Sequence, residues 1–272
     1  MFIAVMKIKA LVLALLVTAA TFNAQARIPV IVLADDSYPP YSYEENGEAA
    51  GIYTDILLQA FQQMTGYDIE IHPIPWKRGL KQLELGEGFA LYPPYLRKET
   101  RPYIDPYSTP ILAEKLVVVC REEFLIDDNR ANWPEDYKGL TIGRNSGFES
   151  FTDHFWSFAQ QNKIKIEEAR GNQLNLLKLL KKRIPCYVND KTSIFWGLEK
   201  LKKSGEYKPA IHGKVVQGAV LNSEWGYIGY TNRGLDRYPF KKDFIEKLDS
   251  IIVQMRNSGT IENIINHYIY TQ

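Results

Sequence analysis

Apolar residues fall along this chain in two alternating rhythms, one of period two or continuous and one of period 3.6. Ile28 to Ala34 is a β-branched apolar run that predicts a buried strand. From Gly51 to Tyr67 the apolar positions Ile52, Ile56, Ala60 and Met64 share one helical face, with Leu57 and Phe61 beside it, and Gly66 supplies a stop. Ile69 to Ile74 predicts a second strand. A short helix opens at Trp76-Lys77-Arg78-Gly79 and stops at Gly86, and Phe89 to Tyr92 predicts a third strand.

The rhythm then restarts. Strands are predicted at Leu116–Cys120, Thr141–Gly143, Ile164–Glu168, Ile184–Asn189 and Lys214–Leu221. Helices alternate with them at about Ser150–Gln160, Leu174–Lys182 and Thr192–Lys203. A glycine-containing strand spans Gly226–Tyr230. Two helices then close the chain, marked by Phe244, Leu248, Ile251, Ile252 and Met255 and by Ile261, Ile264, Ile265 and Tyr268. Alternating strand and helix predicts an α/β fold with mostly parallel sheets covered by helices. In such sheets ligands sit beyond the carboxyl ends of the strands. Asp35, Tyr38, Trp76 and Arg101 all follow predicted strand ends. A surface arginine, two core aromatics and a turn aspartate are the bland alternatives. Four contacts at one rim argue for a cleft.

The first residues carry an address. Lys7 and Lys9 precede the apolar run Ala10–Ala20, and Ala24-Gln25-Ala26 offers small residues for a signal peptidase. A secretory signal peptide over residues 1–26 is expected, with a soluble mature chain from Arg27. The apolar run is short for a membrane anchor. Removing residues 1–26 from 272 leaves 246, enough for one large domain or two smaller ones. It also takes Lys+Arg from 33 to 31 against 32 acids, a formal charge of −1. That balance argues against nucleic acid or an anionic membrane as the main partner. The four histidines show no ligand-like spacing, so no metal and no cofactor is expected. Cys120 and Cys186 are either a disulfide, as a secreted chain permits, or two buried thiols.

Several short motifs occur in a telling order: Tyr38-Pro39-Pro40-Tyr41, Gly51-Ile52-Tyr53-Thr54-Asp55-Ile56, Trp76-Lys77-Arg78-Gly79, Glu99-Thr100-Arg101 and Pro106-Tyr107-Ser108. In this order, behind a signal peptide, the chain resembles the family 3 extracellular solute-binding proteins, the polar amino-acid receptors of ABC transporters. The resemblance implies a two-lobed periplasmic binding protein type II fold. Lobe one would be 27–112 plus 223–272 and lobe two 113–222, with hinges near Leu112–Leu116 and Ala219–Asn222. It puts both cysteines in lobe two, which favours the bridge.

The resemblance also implies roles. Arg101 would clamp a ligand carboxylate, and Asp190 would receive an α-ammonium group or serve as a helix N-cap. Trp76 and Tyr38 would wall the ligand, Asp35 would add a polar contact, and the Arg144–Phe148 turn would contact the carboxylate from lobe two. There are departures: Lys98 holds the motif's threonine position, Pro93-Pro94-Tyr95-Leu96 replaces serines, and Phe148 stands where a small hydroxyl residue is common. The implied function is a monomeric, non-enzymatic periplasmic receptor that hands a small polar solute, an amino acid or related carboxylate, to an inner-membrane ABC permease. Two alternatives share the scaffold: an enzyme resembling cyclohexadienyl dehydratase, with Asp190 or Asp35 as acid, and a ligand sensor for a membrane receptor.

Overall fold

The structure, a computed structural model, describes residues 26–125, 130–148 and 151–270. The expected signal peptide therefore lies outside the described residues except for Ala26. Two five-stranded sheets carry the molecule. The first contains strands β1 (Ile28–Asp35), β5 (Tyr67–Ile74), β6 (Ala90–Tyr92), β7 (Ile104–Tyr107) and β13 (Gly229–Thr231), in the order β5-β1-β6-β13-β7. β1 runs parallel to β5 and β6, and β13 is antiparallel to β6 and β7.

The second sheet contains β8 (Leu112–Arg121), β9 (Thr141–Asn145), β10 (Lys165–Ala169), β11 (Cys186–Asp190) and β12 (Val215–Gly226), in the order β10-β9-β11-β8-β12. β9 is parallel to β10 and β11, whereas β8 pairs antiparallel with β11 and β12. The fold is thus mixed α/β, with parallel-containing sheets flanked by helices. β8 shows why a continuous apolar run was needed. Val117 and Val119 face one core with Leu176, Leu179 and Ile194, while Val118 and Cys120 face another with Ile142, Phe155 and Phe158. A strand covered on both faces cannot alternate with polar residues.

Helices sit where the 3.6-residue spacing put them. Helix α1 (Ile52–Phe61) buries Ile56, Leu57 and Ala60 against the first sheet. Ile56 and Leu57 each contribute about 1.5–3 kcal/mol. The helix stops at Phe61 rather than continuing to Tyr67, yet Met64 stays buried in the turn that follows. Helix α2 (Trp76–Leu85) ends at Gly86, left-handed at φ 69°. Between β9 and β12 come α3 (Asp153–Gln160), α4 (Gly171–Leu180), α5 (Lys191–Lys203) and the short α6 (Pro209–His212). The long α7 (Lys241–Asn257) and α8 (Thr260–Tyr270) pack back on the first sheet through Phe244, Leu248, Ile252 and Ile261.

Some elements lack a period in the sequence. A small antiparallel sheet, β2 (Ser37–Tyr38), β3 (Ser42–Glu45) and β4 (Glu48–Ala50), stands at the end of β1. β12 runs five residues past Leu221 and absorbs Trp225 and Gly226, so the predicted strand Gly226–Tyr230 shrinks to Gly229–Thr231. β8 and β12 pair from Arg121↔Val215 to Leu112↔Gly226 and carry the chain between the two sheets. Cys120 and Cys186 are directly opposite in β8 and β11 and are joined as a disulfide. Among the described residues no helix is long and apolar enough to cross a membrane.

Candidate functional site

The ends of β1, β5 and β6 meet the end of β9 across a closed cleft. Pro75 ends β5 and places Trp76 as the first residue of α2. Arg101 follows the Arg97–Thr100 turn, whose last amide bond runs from Arg101 N–H to the Arg97 carbonyl. From the opposite side, the turn after β9 brings in Gly147 and Phe148. The carbonyl oxygen of Gly147 accepts from Arg101 Nη2 at 2.9 Å and from Trp76 Nε1 at 3.2 Å. Gly147 is left-handed, at φ 81°, and a Cβ there would stand 2.9 Å from Lys77 Cγ. The residue is glycine because both its backbone and its neighbour demand it.

Phe148 fills the rest of the cleft. Its ring packs edge-on against Tyr38 at 5.2 Å and Trp76 at 5.7 Å, and the Arg101 guanidinium lies 5.5 Å from the Trp76 ring. The space left among Tyr38, Trp76, Pro93, Tyr95, Arg101 and Phe148 is about 20 Å³, room for a water molecule. Arg101 is buried at 3 % exposure. A buried guanidinium facing a backbone oxygen is a site for an anionic oxygen as well.

The structure therefore brings Arg101, Trp76, Tyr38 and Phe148 together. It employs the other three expected residues differently. Asp35 is buried, and its Oδ1 accepts from Ser37 N at 3.0 Å and Ser37 Oγ at 3.3 Å within its own loop. Burial pushes its pKa up to about 7. Asp190 is the N-cap of α5: Oδ1 accepts from Ser193 N at 2.9 Å and Oδ2 from Lys115 N at 2.8 Å. Burial raises its pKa too, against those amide bonds. Arg144 turns to its own sheet. Its Nε meets Glu168 at 3.1 Å, its Nη1 donates to the Phe148 carbonyl at 2.7 Å, and it lies over Trp156.

One central residue gave no signal in the sequence. Glu114, in β8, is buried at 1 % exposure beneath a cage of tyrosines. Its Oε1 contacts Tyr53 Oη at 2.6 Å, and its Oε2 contacts Tyr95 Oη at 2.7 Å and Tyr38 Oη. Burial, with Asp190 nearby, pushes the Glu114 carboxyl up to about 8 despite those hydroxyls. A glutamate amid Leu112–Val119 was the one available hint, because a charge inside an apolar strand needs partners. The partners themselves come from positions 38, 53 and 95, which no spacing connects. Among the described residues no group of three or more histidine, cysteine or acidic side chains is placed to hold a metal.

Comparison with known proteins agrees with this architecture. The model of the bacterial extracellular solute-binding proteins, family 3, matches residues 30–271. The chain belongs to that family. No curated protein matches the chain. Among solved structures, an ancestral arginine-binding protein bound to arginine superposes with a TM-score of 0.68 at 20 % identity, covering 88 % of this chain and 96 % of that one. An ancestral amino acid-binding protein described as a precursor of cyclohexadienyl dehydratase gives 0.65 at 17 % identity, covering 87 % and 92 %. A histidine kinase sensor domain with similarity to periplasmic binding proteins gives 0.70 at 14 % identity, covering 88 % and 94 %. At these identities the likeness is one of fold. The two-lobed binding-protein architecture is common to all three.

Proposed function

We propose that the chain is a periplasmic receptor that captures a small carboxylate-bearing solute, an amino acid or a close relative, between its lobes and delivers it to an inner-membrane ABC permease. In this reading lobe one is 27–112 plus 223–272, lobe two is 113–222, and the paired ends of β8 and β12 are the hinge. The protein acts as a monomer after loss of residues 1–26. The observation that carries the reading is the convergence of Arg101 Nη2 and Trp76 Nε1 on one oxygen, the Gly147 carbonyl. That oxygen stands in for one carboxylate oxygen of the solute, and the Phe148 ring stands in for its side chain. The family, the arginine-bound ancestral protein and the ancestral amino acid-binding protein support the same class.

The closed cleft has no room for such a solute, so binding begins with withdrawal of the Gly147–Phe148 turn. The solute then takes over the donors that the turn held and bridges the lobes in its place. Ligand and turn compete, and the ligand shifts the population only by the difference between their contacts. Asp190 keeps two backbone donors, so an α-ammonium group would share it with them rather than take it over.

One observation favours a second function, an enzyme. Glu114 holds its proton at neutral pH beneath Tyr38 and Tyr95, which both line the cleft, and a proton source beside a carboxylate clamp suits acid-assisted elimination. A ligand screen on refolded, ligand-free protein tests both. The panel is the proteinogenic amino acids, ornithine, small dicarboxylates and prephenate, followed by thermal shift and by proton NMR of each ligand. A stabilising ligand that stays intact supports the receptor. Conversion of prephenate supports the enzyme. No shift with any member removes the amino-acid class.

A further inference from the structure

The Arg101 cleft is occupied by the protein's own chain, and the occupant has a definite chemistry. Gly147 supplies an oxygen to Arg101 Nη2 and Trp76 Nε1, and Phe148 supplies a phenyl ring. The carbonyl carbon and the ring are joined through the Phe148 amide nitrogen, Cα and Cβ. The ring stands edge-on to Tyr38 and Trp76, at interplanar angles of 86° and 70°. That arrangement sets the positive edge of one aromatic ring against the negative face of another, which an alkyl side chain does not reproduce. The hydroxyls of Tyr38 and Tyr95 are engaged by Glu114, so these residues offer the cleft chiefly ring surface.

The same lining offers nothing to an ammonium group. Among the described residues, Arg101 is its one charged side chain. Asp190 does not line the space. It is buried, and it holds the Ser193 N–H at 2.9 Å, the Lys115 N–H at 2.8 Å and the Tyr41 hydroxyl. Glu114 lies behind Tyr38 and Tyr95 and keeps its proton at neutral pH, because burial pushes its pKa up to about 8. A zwitterion would therefore desolvate its cationic end without a partner, a cost that a simple carboxylate does not incur. A basic side chain fares no better, because the Trp76 ring already receives the Arg101 guanidinium 5.5 Å from its centre.

We propose that the solute is an aryl-substituted alkanoate without an α-ammonium group, of the length of 3-phenylpropanoate or 4-phenylbutanoate. Its carboxylate takes Arg101 Nη2 and Trp76 Nε1 over from the Gly147 carbonyl, and its ring replaces the Phe148 ring beside Tyr38 and Trp76. This narrows the receptor reading and rests on Arg101 as the carboxylate clamp.

Calorimetric titration of the refolded, ligand-free protein tests the class with 3-phenylpropanoate, L-phenylalanine, 4-phenylbutanoate and butanoate. The first two differ only in the α-ammonium group, the last two only in the ring. Saturable 1:1 binding is expected for both aryl acids. 3-Phenylpropanoate should bind at least tenfold tighter than L-phenylalanine, 4-phenylbutanoate at least tenfold tighter than butanoate, and Arg101→Ala should weaken both aryl acids at least tenfold. L-Phenylalanine bound as tightly as 3-phenylpropanoate overturns the proposal, as does butanoate bound as tightly as 4-phenylbutanoate. Both comparisons use the unaltered protein, so they stand even if Arg101→Ala fails to fold. No binding of either aryl acid up to millimolar concentration also overturns it, and Arg101-dependent binding of an amino acid would then leave the receptor reading intact. Aryl-acid binding untouched in a folded Arg101→Ala variant would remove both the proposal and the clamp on which it rests.

Discussion

Arg101 and Gly147 face each other across the closed cleft, joined by a 2.9 Å hydrogen bond from Nη2 to the carbonyl oxygen. A buried guanidinium is thus met by a backbone carbonyl from the opposite side of the cleft. A solute that binds here must offer more than that carbonyl and the ring behind it. A charged carboxylate does so, because charge-assisted bonds are roughly twice as strong as neutral ones.

Phe148 competes with the solute, so removing its ring should help binding. The Phe148→Ala variant gives up two aromatic contacts, with Tyr38 and Trp76. Each is worth about 0.5–1.5 kcal/mol, so ligand affinity should rise by about 1–3 kcal/mol, roughly 5- to 150-fold. Calorimetry on wild type and variant measures this. An unchanged or weakened affinity would make Phe148 a wall of the ligand site and not its competitor.

Stability should fall as pH rises through neutrality. Glu114 and Asp35 both have folded pKa values above their unfolded ones, about 8 against 4.5 and about 7 against 3.8. Between those values the native state binds more protons, so the stabilisation present at low pH is lost as pH climbs. The slope is about 1.4 kcal/mol per pH unit for each group. Urea unfolding at pH 5 and pH 8 should show the higher free energy at pH 5. Glu114→Gln, which cannot ionise, should lessen the slope between about pH 5 and 8 and leave it nearly flat above pH 7, where Asp35 no longer contributes. A profile identical to wild type would mean that Glu114 is ionised in the folded protein.

Gly226 makes the tyrosine cage possible. A Cβ there would sit 1.8 Å from Tyr53 Oη, the atom that contacts Glu114. Gly226→Ala must therefore expel Tyr53 and leave a buried carboxyl short of a partner, at a cost of about 1–3 kcal/mol or more. Tyr53→Phe alone removes the same bond. In a double-mutant cycle the two changes should be strongly non-additive, with the double variant losing well less than the sum of the single losses. Additive losses would separate Gly226 from the cage.

Much of the fold was legible because the rhythms are strong. The Ile28–Ala34 run, the continuous Leu116–Cys120 run and the stripes of the two closing helices all come from burial that needs a fixed period. The small β2–β3–β4 sheet was not legible. Its strands are two, four and three residues long, built from Ser, Tyr, Glu and Ala, and they form because Asp35 and Tyr38 anchor them, not because of their own pattern. The helix read as far as Tyr67 ends at Phe61 because a buried Met64 looks the same in a turn as on a helical face.

The candidate site was half legible. Arg101, Trp76 and Tyr38 follow strand ends, and their convergence comes from topology. Asp190 followed the N-cap alternative offered by its place before Thr192. Phe148 read as a departure from a motif, and only the packing shows it seated between Tyr38 and Trp76. Glu114 and the tyrosines around it span positions 38 to 114, and a contact of that kind leaves no trace in local spacing.

The central claim is that Arg101 holds the solute's carboxylate. The direct measurement is the dissociation constant of whichever amino acid or carboxylate stabilises the wild type, determined by calorimetry on wild type and Arg101→Ala. The loss of a charge-assisted contact and the unpaired carboxylate left behind predict a weakening of about 2–4 kcal/mol, roughly 30- to 1,000-fold, with the variant still folded. A ligand bound as tightly by Arg101→Ala as by the wild type would contradict the account and place the solute elsewhere.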